Sequence, residues 1–333
     1  MAGLPTIAVA AGDPCGVGPE VTLKGLARLP RALRARWVII GDHAVFSRTA
    51  RQLRRLLPRW EVVSPRNLVA LPDRPLVFLD SRHRGAFAPG RTSETAGRAA
   101  LDYLQQAAAF WKTRRIQALV TAPVTKWAIA RSEPSFVGQT EYLSAAMGAR
   151  DIVMMFIADT LRVALLTRHL PLRRVPGALT REAFRRTLRV TSSALKRQFG
   201  IARPRLAVLG LNPHAGESGR CGREELTVMG PVLRTLRAEG FSCDGPFAAD
   251  GFFSAPRPYD AVICAYHDQG LIPFKMAARD RGCQFTAGLP LIRTSPDHGS
   301  ALDIAGKGVA HPGSMVYALE LAVRLATSVK ETE

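Results

Sequence analysis

Ile7-Ala8-Val9-Ala10-Ala11-Gly12-Asp13-Pro14-Cys15-Gly16-Val17-Gly18-Pro19-Glu20 passes from an unbroken apolar run into a glycine-rich turn and on to the helical Val21-Thr22-Leu23-Lys24-Gly25-Leu26. A short apolar run without alternation reads as a strand buried on both faces, and a strand that turns directly into a helix opens an α/β fold. Glycines in such a turn let the backbone approach a ligand, and a helix N-terminus favours anions. The spacing is neither the Gly-x-Gly-x-x-Gly dinucleotide fingerprint nor a Walker loop, so the turn alone reads first as structural.

Outward from this stretch the same rhythm continues. Strands are predicted at Ile7 to Ala11, Trp37 to Gly41, Leu76 to Asp80, Ala118 to Ala122, Ile152 to Ile157, Arg162 to Leu166, Arg205 to Leu209 and Ala261 to Ala265. Helical patterns lie between them. Ala96, Ala99, Ala100, Tyr103, Leu104, Ala107 and Trp111 recur at helical spacing within Ser93 to Lys112, and Phe184, Leu188, Leu195 and Phe199 do so within Arg181 to Phe199. Alternating strands and helices predict an α/β fold with a largely parallel sheet. No repeat or low-complexity linker divides the chain. The expectation is one catalytic unit over residues 1–333, with two lobes sharing a cleft, lobe boundaries near 120–135 and a return near 290.

Composition narrows the function classes. The 333 residues are 47% apolar, enough for a large core. No run approaches the roughly 18 apolar residues of a membrane helix. The segment Leu4 to Ala11 has no basic lead-in, so a cytoplasmic protein is expected rather than a secreted one. Cys15, Cys221, Cys243, Cys264 and Cys283 contain no Cys-x-x-Cys pair, which predicts reduced thiols. The net charge of +19 raises a nucleic-acid hypothesis. However, 39 of the 46 basic residues are Arg, scattered as Arg31, Arg34, Arg36, Arg51, Arg54, Arg55, Arg181, Arg185 and Arg186 on expected helix surfaces. No finger, helix-turn-helix or aromatic-interleaved basic motif accompanies them, so attraction of anionic small molecules is the preferred reading.

Three histidines follow predicted strands in segments rich in Gly, Pro and polar residues. They are His169 in Thr167-Arg168-His169-Leu170-Pro171, His214 in Asn212-Pro213-His214-Ala215-Gly216-Glu217, and His267 in Tyr266-His267-Asp268-Gln269-Gly270. Strand ends are where α/β proteins carry their sites, and three imidazoles with an open position suit a divalent metal that activates a substrate oxygen. Their separations of 45 and 53 residues form no local metal motif, so packed or surface histidines remain the alternative. His43 and His83 read as ordinary helix and loop residues. Lys275, in Gly270-Leu271-Ile272-Pro273-Phe274-Lys275, and Arg293, in Leu291-Ile292-Arg293-Thr294-Ser295, are expected in non-helical segments, where they suit a phosphate or carboxylate or serve as surface charges. The small residues of Asp297-His298-Gly299-Ser300-Ala301-Leu302-Asp303-Ile304-Ala305-Gly306-Lys307-Gly308 allow close approach to a flat ligand.

Five separated blocks carry a resemblance: Gly12 to Glu20, Thr121-Ala122-Pro123-Val124-Thr125-Lys126, Leu211 to Glu217, Tyr266 to Gly270 and Asp297 to Gly308. In this order they resemble the 4-hydroxythreonine-4-phosphate dehydrogenase family of vitamin B6 biosynthesis, related in fold to the isocitrate and isopropylmalate dehydrogenases. The resemblance implies a two-lobed homodimer that oxidises 4-phosphohydroxy-L-threonine with NAD or NADP. The product, 2-amino-3-oxo-4-phosphooxybutanoate, decarboxylates to 3-amino-2-oxopropyl phosphate. It also implies one divalent metal (zinc, magnesium or cobalt) on His169, His214 and His267, in a site shared between subunits. Asp250 and Asp268 are then candidates to support the metal site. The implied substrate contacts are Gln139, Thr140, Lys275, Gln284 and Arg293. The implied cofactor contacts are Asp297, His298, Gly299, Ser300, Asp303 and Gly306. Gln139 stands where the family pattern has His, and Gln284 where it has Asn, which bears on substrate identity. Related activities on 4-phosphothreonate, 4-phosphoerythronate or an aromatic cis-dihydrodiol are the alternatives, with a basic nucleic-acid-binding protein on an inactive dehydrogenase fold as the reading of another class.

Overall fold

The computed structural model describes residues 3–54, 57–65, 70–159, 161–255 and 258–330. In chain order the strands are β1 (Thr6–Ala10), β2 (Arg36–Gly41), β3 (Glu61–Val63), β4 (Leu76–Asp80), β5 (Ala118–Thr121), β6 (Val153–Ala158), β7 (Leu161–Leu165), β8 (Arg205–Leu209), β9 (Ser242–Phe247), β10 (Ala261–Cys264), β11 (Cys283–Ala287) and β12 (Ile292–Pro296). The helices are α1 (Gly18–Leu26), α2 (His43–Gln52), α3 (Glu94–Lys112), α4 (Lys126–Ala130), α5 (Gln139–Ala146), α6 (Val175–Ala178), α7 (Arg181–Arg197), α8 (Gly230–Ala238), α9 (Ala249–Phe252), α10 (His267–Ala278) and α11 (Gly313–Lys330). All eight expected strands are present. Those that the sequence did not disclose, β3, β9, β11 and β12, are short or carry polar residues that belie their burial.

Two units divide the chain, one formed by Met1–Ala149 with Leu289–Glu333 and the other by Arg150–Gly288. The first therefore continues past residues 120–135, because α4 packs on α3 and so does α5. Its strand order is β3-β4-β2-β1-β5-β12. Every pairing in this run is parallel, with Ile7 opposite both Trp37 and Ala118, and Arg293 opposite Leu119. Ile7, Ala8 and Val9 are fully buried, as the unbroken apolar run requires. Helix α3 packs on β1 and β2, while α11 packs on β5 and β12. Ser93 starts α3 by accepting a hydrogen bond from the Ala96 N–H (3.2 Å), and Tyr103, Leu104 and Ala107 on its inner face are buried.

In the second unit the strand order is β11-β6-β7-β10-β8-β9. Here the expectation of a parallel sheet holds for β7-β10-β8-β9, whereas β6 runs antiparallel to both β7 and β11. Val163, Leu165, Ala207, Leu209, Cys264 and Phe274 form its core. Helix α7 turns Phe184, Leu188 and Leu195 inward and leaves Arg181, Arg185 and Arg186 exposed. Arg31 and Arg34 lie in the turn before β2 rather than on a helix, Arg36 opens β2, and Arg55 falls outside the described residues. All five cysteines are free thiols, with Cys221 alone exposed. No helix of the described residues is long and apolar enough to cross a membrane.

Candidate functional site

In the first unit Arg293, near the start of β12, meets the carboxyl end of β5 and the first turn of α5. Arg293 of β12 is buried, 3% exposed, and its guanidinium donates to two hydroxyls. Nε and Nη2 reach Thr121 Oγ1 at 3.2 and 2.6 Å, and Nη1 reaches Thr140 Oγ1 at 3.2 Å. Thr121 is the last residue of β5 and Thr140 lies in the first turn of α5, so strand and helix ends fix the plane of the guanidinium. Beside Thr140, Gln139 donates through Nε2 to the Ala122 carbonyl (3.1 Å), and its buried Oε1 has no partner. A buried cation held against Thr140, with an orphan acceptor on the adjacent Gln139, suits a ligand with both an anionic group and a donor.

The segment 297–308 lies on the turn that follows β1. The Val17 N–H donates to the Ser300 carbonyl (2.9 Å), and Thr125 donates to Ser300 Oγ (3.0 Å). Farther along, Lys24 of α1 donates to the carbonyls of Gly308 and Ala310, each at 2.8 Å, and to Glu20 Oε1 at 2.6 Å. Glu20, 2% exposed, also accepts from the Ala310 N–H (2.9 Å). Gly306 has φ +78° with Pro89 so close that a Cβ would meet it at 2.6 Å, so the loop accepts no side chain there. At the start of the segment, the Ser314 hydroxyl donates to Asp297 Oδ1 (2.8 Å). His298 Nδ1 lies 3.0 Å from the Gly299 carbonyl, which assigns the ring proton to Nδ1 and leaves the buried Nε2 an acceptor with no partner. That orphan acceptor, in a loop of small residues, fits the amino edge of an adenine. Gly299 and Asp303 are exposed.

In the second unit the three histidines follow three adjacent parallel strands: His169 after β7, His267 after β10 and His214 after β8. The rings of His169 and His267 are brought together, with centroids 5.7 Å apart. His267 Nδ1 is 2.7 Å from Asp268 Oδ1, which leaves Nε2 as the ring nitrogen available to a ligand. Gln269 ties the neighbouring strand ends, donating through Nε2 to the Gly210 carbonyl and accepting from the Ala265 N–H, both at 2.7 Å. His214 sits on a turn with positive φ from His214 to Ser218. Among the described residues no three His, Cys, Asp or Glu side chains form a group that could hold a metal ion. The donor chemistry of the close imidazole pair fits two ligands of a divalent ion. Asp250 is exposed on α9, which packs against the His214 turn.

The structure corrects the expected setting of Lys275. It lies in the last turn of α10, which continues through Gly270 and Pro273, so its segment is helical rather than non-helical, and its side chain is exposed, as the surface-charge alternative has it. Gln284 is buried in β11, donating to Thr286 Oγ1 at 2.8 Å.

Several contributors escaped the sequence reading. Thr121, Glu20 and Lys24 stood inside or beside quoted blocks, but only the fold shows their contacts. His83, read as ordinary, bridges Asp42 and Asp102. The Cys15 thiol is buried and pushed up to about 12, chiefly by burial and then by Asp13, so it is inert as a nucleophile.

Residues 34–322 match the family described as pyridoxal phosphate biosynthetic protein PdxA. The 4-hydroxythreonine-4-phosphate dehydrogenase of Azoarcus sp. (strain BH72) is 43% identical over 332 residues, covering 98% of each chain. A crystal structure of the dehydrogenase of that name from Klebsiella pneumoniae matches with a TM-score of 0.85 at 34% identity, covering 98% of this chain and 99% of the other. A terephthalate 1,2-cis-dihydrodiol dehydrogenase from Burkholderia xenovorans LB400 matches with a TM-score of 0.65 at 31% identity, covering 96% and 98%. With a family match over most of its length and relatives this similar from end to end, the chain belongs to the PdxA family of pyridoxal phosphate biosynthetic proteins.

Proposed function

We propose that this chain is a 4-hydroxythreonine-4-phosphate dehydrogenase: it oxidises the secondary alcohol of 4-phosphohydroxy-L-threonine with NAD or NADP. The alcohol carbon gives up a hydride and the hydroxyl its proton, and the 3-oxo acid so formed loses carbon dioxide to give 3-amino-2-oxopropyl phosphate. When bound, a divalent ion such as zinc or magnesium stabilises negative charge on the substrate oxygens, and the nicotinamide takes the hydride.

In this reading the chain's own residues bind and orient. Arg293, its plane fixed by Thr121 and Thr140, holds an anionic group of the substrate, and the free Oε1 of Gln139 accepts from a neighbouring donor. Lys275 and Gln284 are proposed as further substrate contacts. His169, His214 and His267 hold the metal, with Asp268 fixing the tautomer of His267 and Asp250 in reserve beside the His214 turn. Asp297, His298, Gly299, Ser300, Asp303 and Gly306 take the adenosine end of the cofactor, His298 Nε2 accepting from it. The reading includes a cytoplasmic homodimer whose metal site draws on both subunits. Exposed Leu172 (69%), Ile272 (60%) and Met276 (75%), which flank His169 and His267 in sequence, support burial of that face against a second copy.

The observation that carries the proposal is the imidazole pair at 5.7 Å, one ring oriented by Asp268, in a chain of this family. The buried Arg293, its guanidinium oriented by Thr121 and Thr140, is a donor fork that suits an anionic substrate group, which supports a phosphorylated hydroxy acid over an uncharged diol. The test is formation of reduced nicotinamide with 4-phosphohydroxy-L-threonine, 4-phosphothreonate and a cis-dihydrodiol side by side. We expect the first to be used at least about tenfold more efficiently, about 1.4 kcal/mol in the transition state. A preference for either competitor removes the vitamin B6 assignment.

A further inference from the structure

The turn that carries His214 is costly to form. His214, Ala215, Glu217 and Ser218 have φ of 51°, 50°, 42° and 55°, with Gly216 at 83° between them. Non-glycine residues in this left-handed region are strained, so a run of them persists only where the surroundings over-determine it. The surroundings here centre on one buried carboxylate.

Glu225 is 4% exposed, and both its oxygens are given to Asn212, the residue that leads into the turn. Oε1 accepts from the Asn212 backbone N–H at 2.8 Å and Oε2 from Asn212 Nδ2 at 3.0 Å. The second hydrogen of that amide goes to Glu224 Oε2 at 2.7 Å. The carboxylate also touches the turn itself, since a Cβ on Gly216 would stand 2.7 Å from Glu225 Oε2. Glu225 in turn opens a π-helical segment, Glu225–Met229, an irregularity that recurs at functional sites.

We propose that Glu225 is the positioning residue for His214: through Asn212 it holds the left-handed turn in the geometry that presents the imidazole to the metal. The inference rests on the reading of His214 as a ligand and adds to it a group outside the ligand set. A carboxylate that orients a ligating segment typically changes metal affinity by about 10- to 100-fold when removed.

The test measures zinc affinity of the full chain by competition with a chromogenic chelator, using zinc alone as the probe, for wild type, His214→Ala, Glu225→Gln and Leu195→Ala. Glu225→Gln puts a donor against the Asn212 amide while conserving size. We expect it to lose at least about tenfold in zinc affinity, approaching His214→Ala. Leu195→Ala, which opens a cavity at a fully buried position of the same unit, should bind zinc like wild type. Wild-type affinity in Glu225→Gln alongside a weakened His214→Ala overturns the inference. So does an equal loss in Leu195→Ala, which would reveal general loosening. Undiminished binding by His214→Ala instead removes the ligand set, and the inference with it. If Glu225→Gln does not fold, Asn212→Ser deletes the other half of the contact and carries the same expectation and the same refutation.

Discussion

His83 should make the first unit's stability fall as pH rises through the alkaline range. Its Nδ1 lies 3.0 Å from Asp42 Oδ2 and its Nε2 3.1 Å from Asp102 Oδ2, so both ring nitrogens donate to carboxylates and the ring is an imidazolium. The backbone N–H of His83 also donates to Asp42 Oδ1 at 2.6 Å, and the Tyr103 hydroxyl donates to Asp42 Oδ2. The hydrogen bond to Asp102, followed by that to Asp42, pushes His83 up from 6.5 to about 9 against an opposing effect of burial. Below pH 6.5 folded and unfolded chains both carry the proton and the stabilisation is complete. Between 6.5 and about 9 only the folded chain keeps it, so the advantage drains away, and above 9 it is gone. At 1.36 kcal/mol per tenfold in proton affinity the ceiling is about 3 kcal/mol, and the ring's 24% exposure reduces this to roughly 2 kcal/mol. Urea unfolding of wild type and His83→Asn at about pH 6 and about pH 9.5 isolates the effect, since other titrations cancel in the difference. The wild-type advantage should shrink by about 2 kcal/mol across the window. A difference that stays constant with pH refutes the bridged imidazolium.

Lys24→Met removes the cation that joins buried Glu20 to the carbonyls of Gly308 and Ala310. It should cost about 3 kcal/mol of stability and raise the KM for the nicotinamide cofactor about tenfold with little change in kcat, and an unchanged KM would separate this clamp from cofactor binding. Ser93→Ala deletes the cap of α3 and should lower unfolding stability by about 1 kcal/mol without touching steady-state kinetics, as thermal and urea melts can check.

The fold was legible wherever burial coincided with apolar side chains. β1, β2 and β4 announce themselves because their residues are apolar and enclosed on both faces. β12 does not, because Ile292–Pro296 carries Arg293, Thr294 and Ser295 inward, and a buried arginine in sequence looks like a surface one. β9 hides behind Gly245 and Pro246, and α10 behind Gly270 and Pro273. The site divides in the same way. The three histidines stood out through the Gly- and Pro-rich segments around them. Glu225 and His83 did not, because what distinguishes them is partners 13 and 41 residues distant rather than any local pattern.

The first unit begins with β1 and is finished by β12 and α11, with all of Arg150–Gly288 between. Until the returning segment arrives, β5 lacks the neighbour that pairs with it along Ala118, Leu119 and Val120, and α11 is not yet there to cover it. Arg293 and the whole of 297–308 come with that last segment. The guanidinium proposed to hold an anion and the proposed adenosine loop thus arrive only with this returning segment, so a chain cut short after the second unit keeps the imidazole pair but lacks both of these elements.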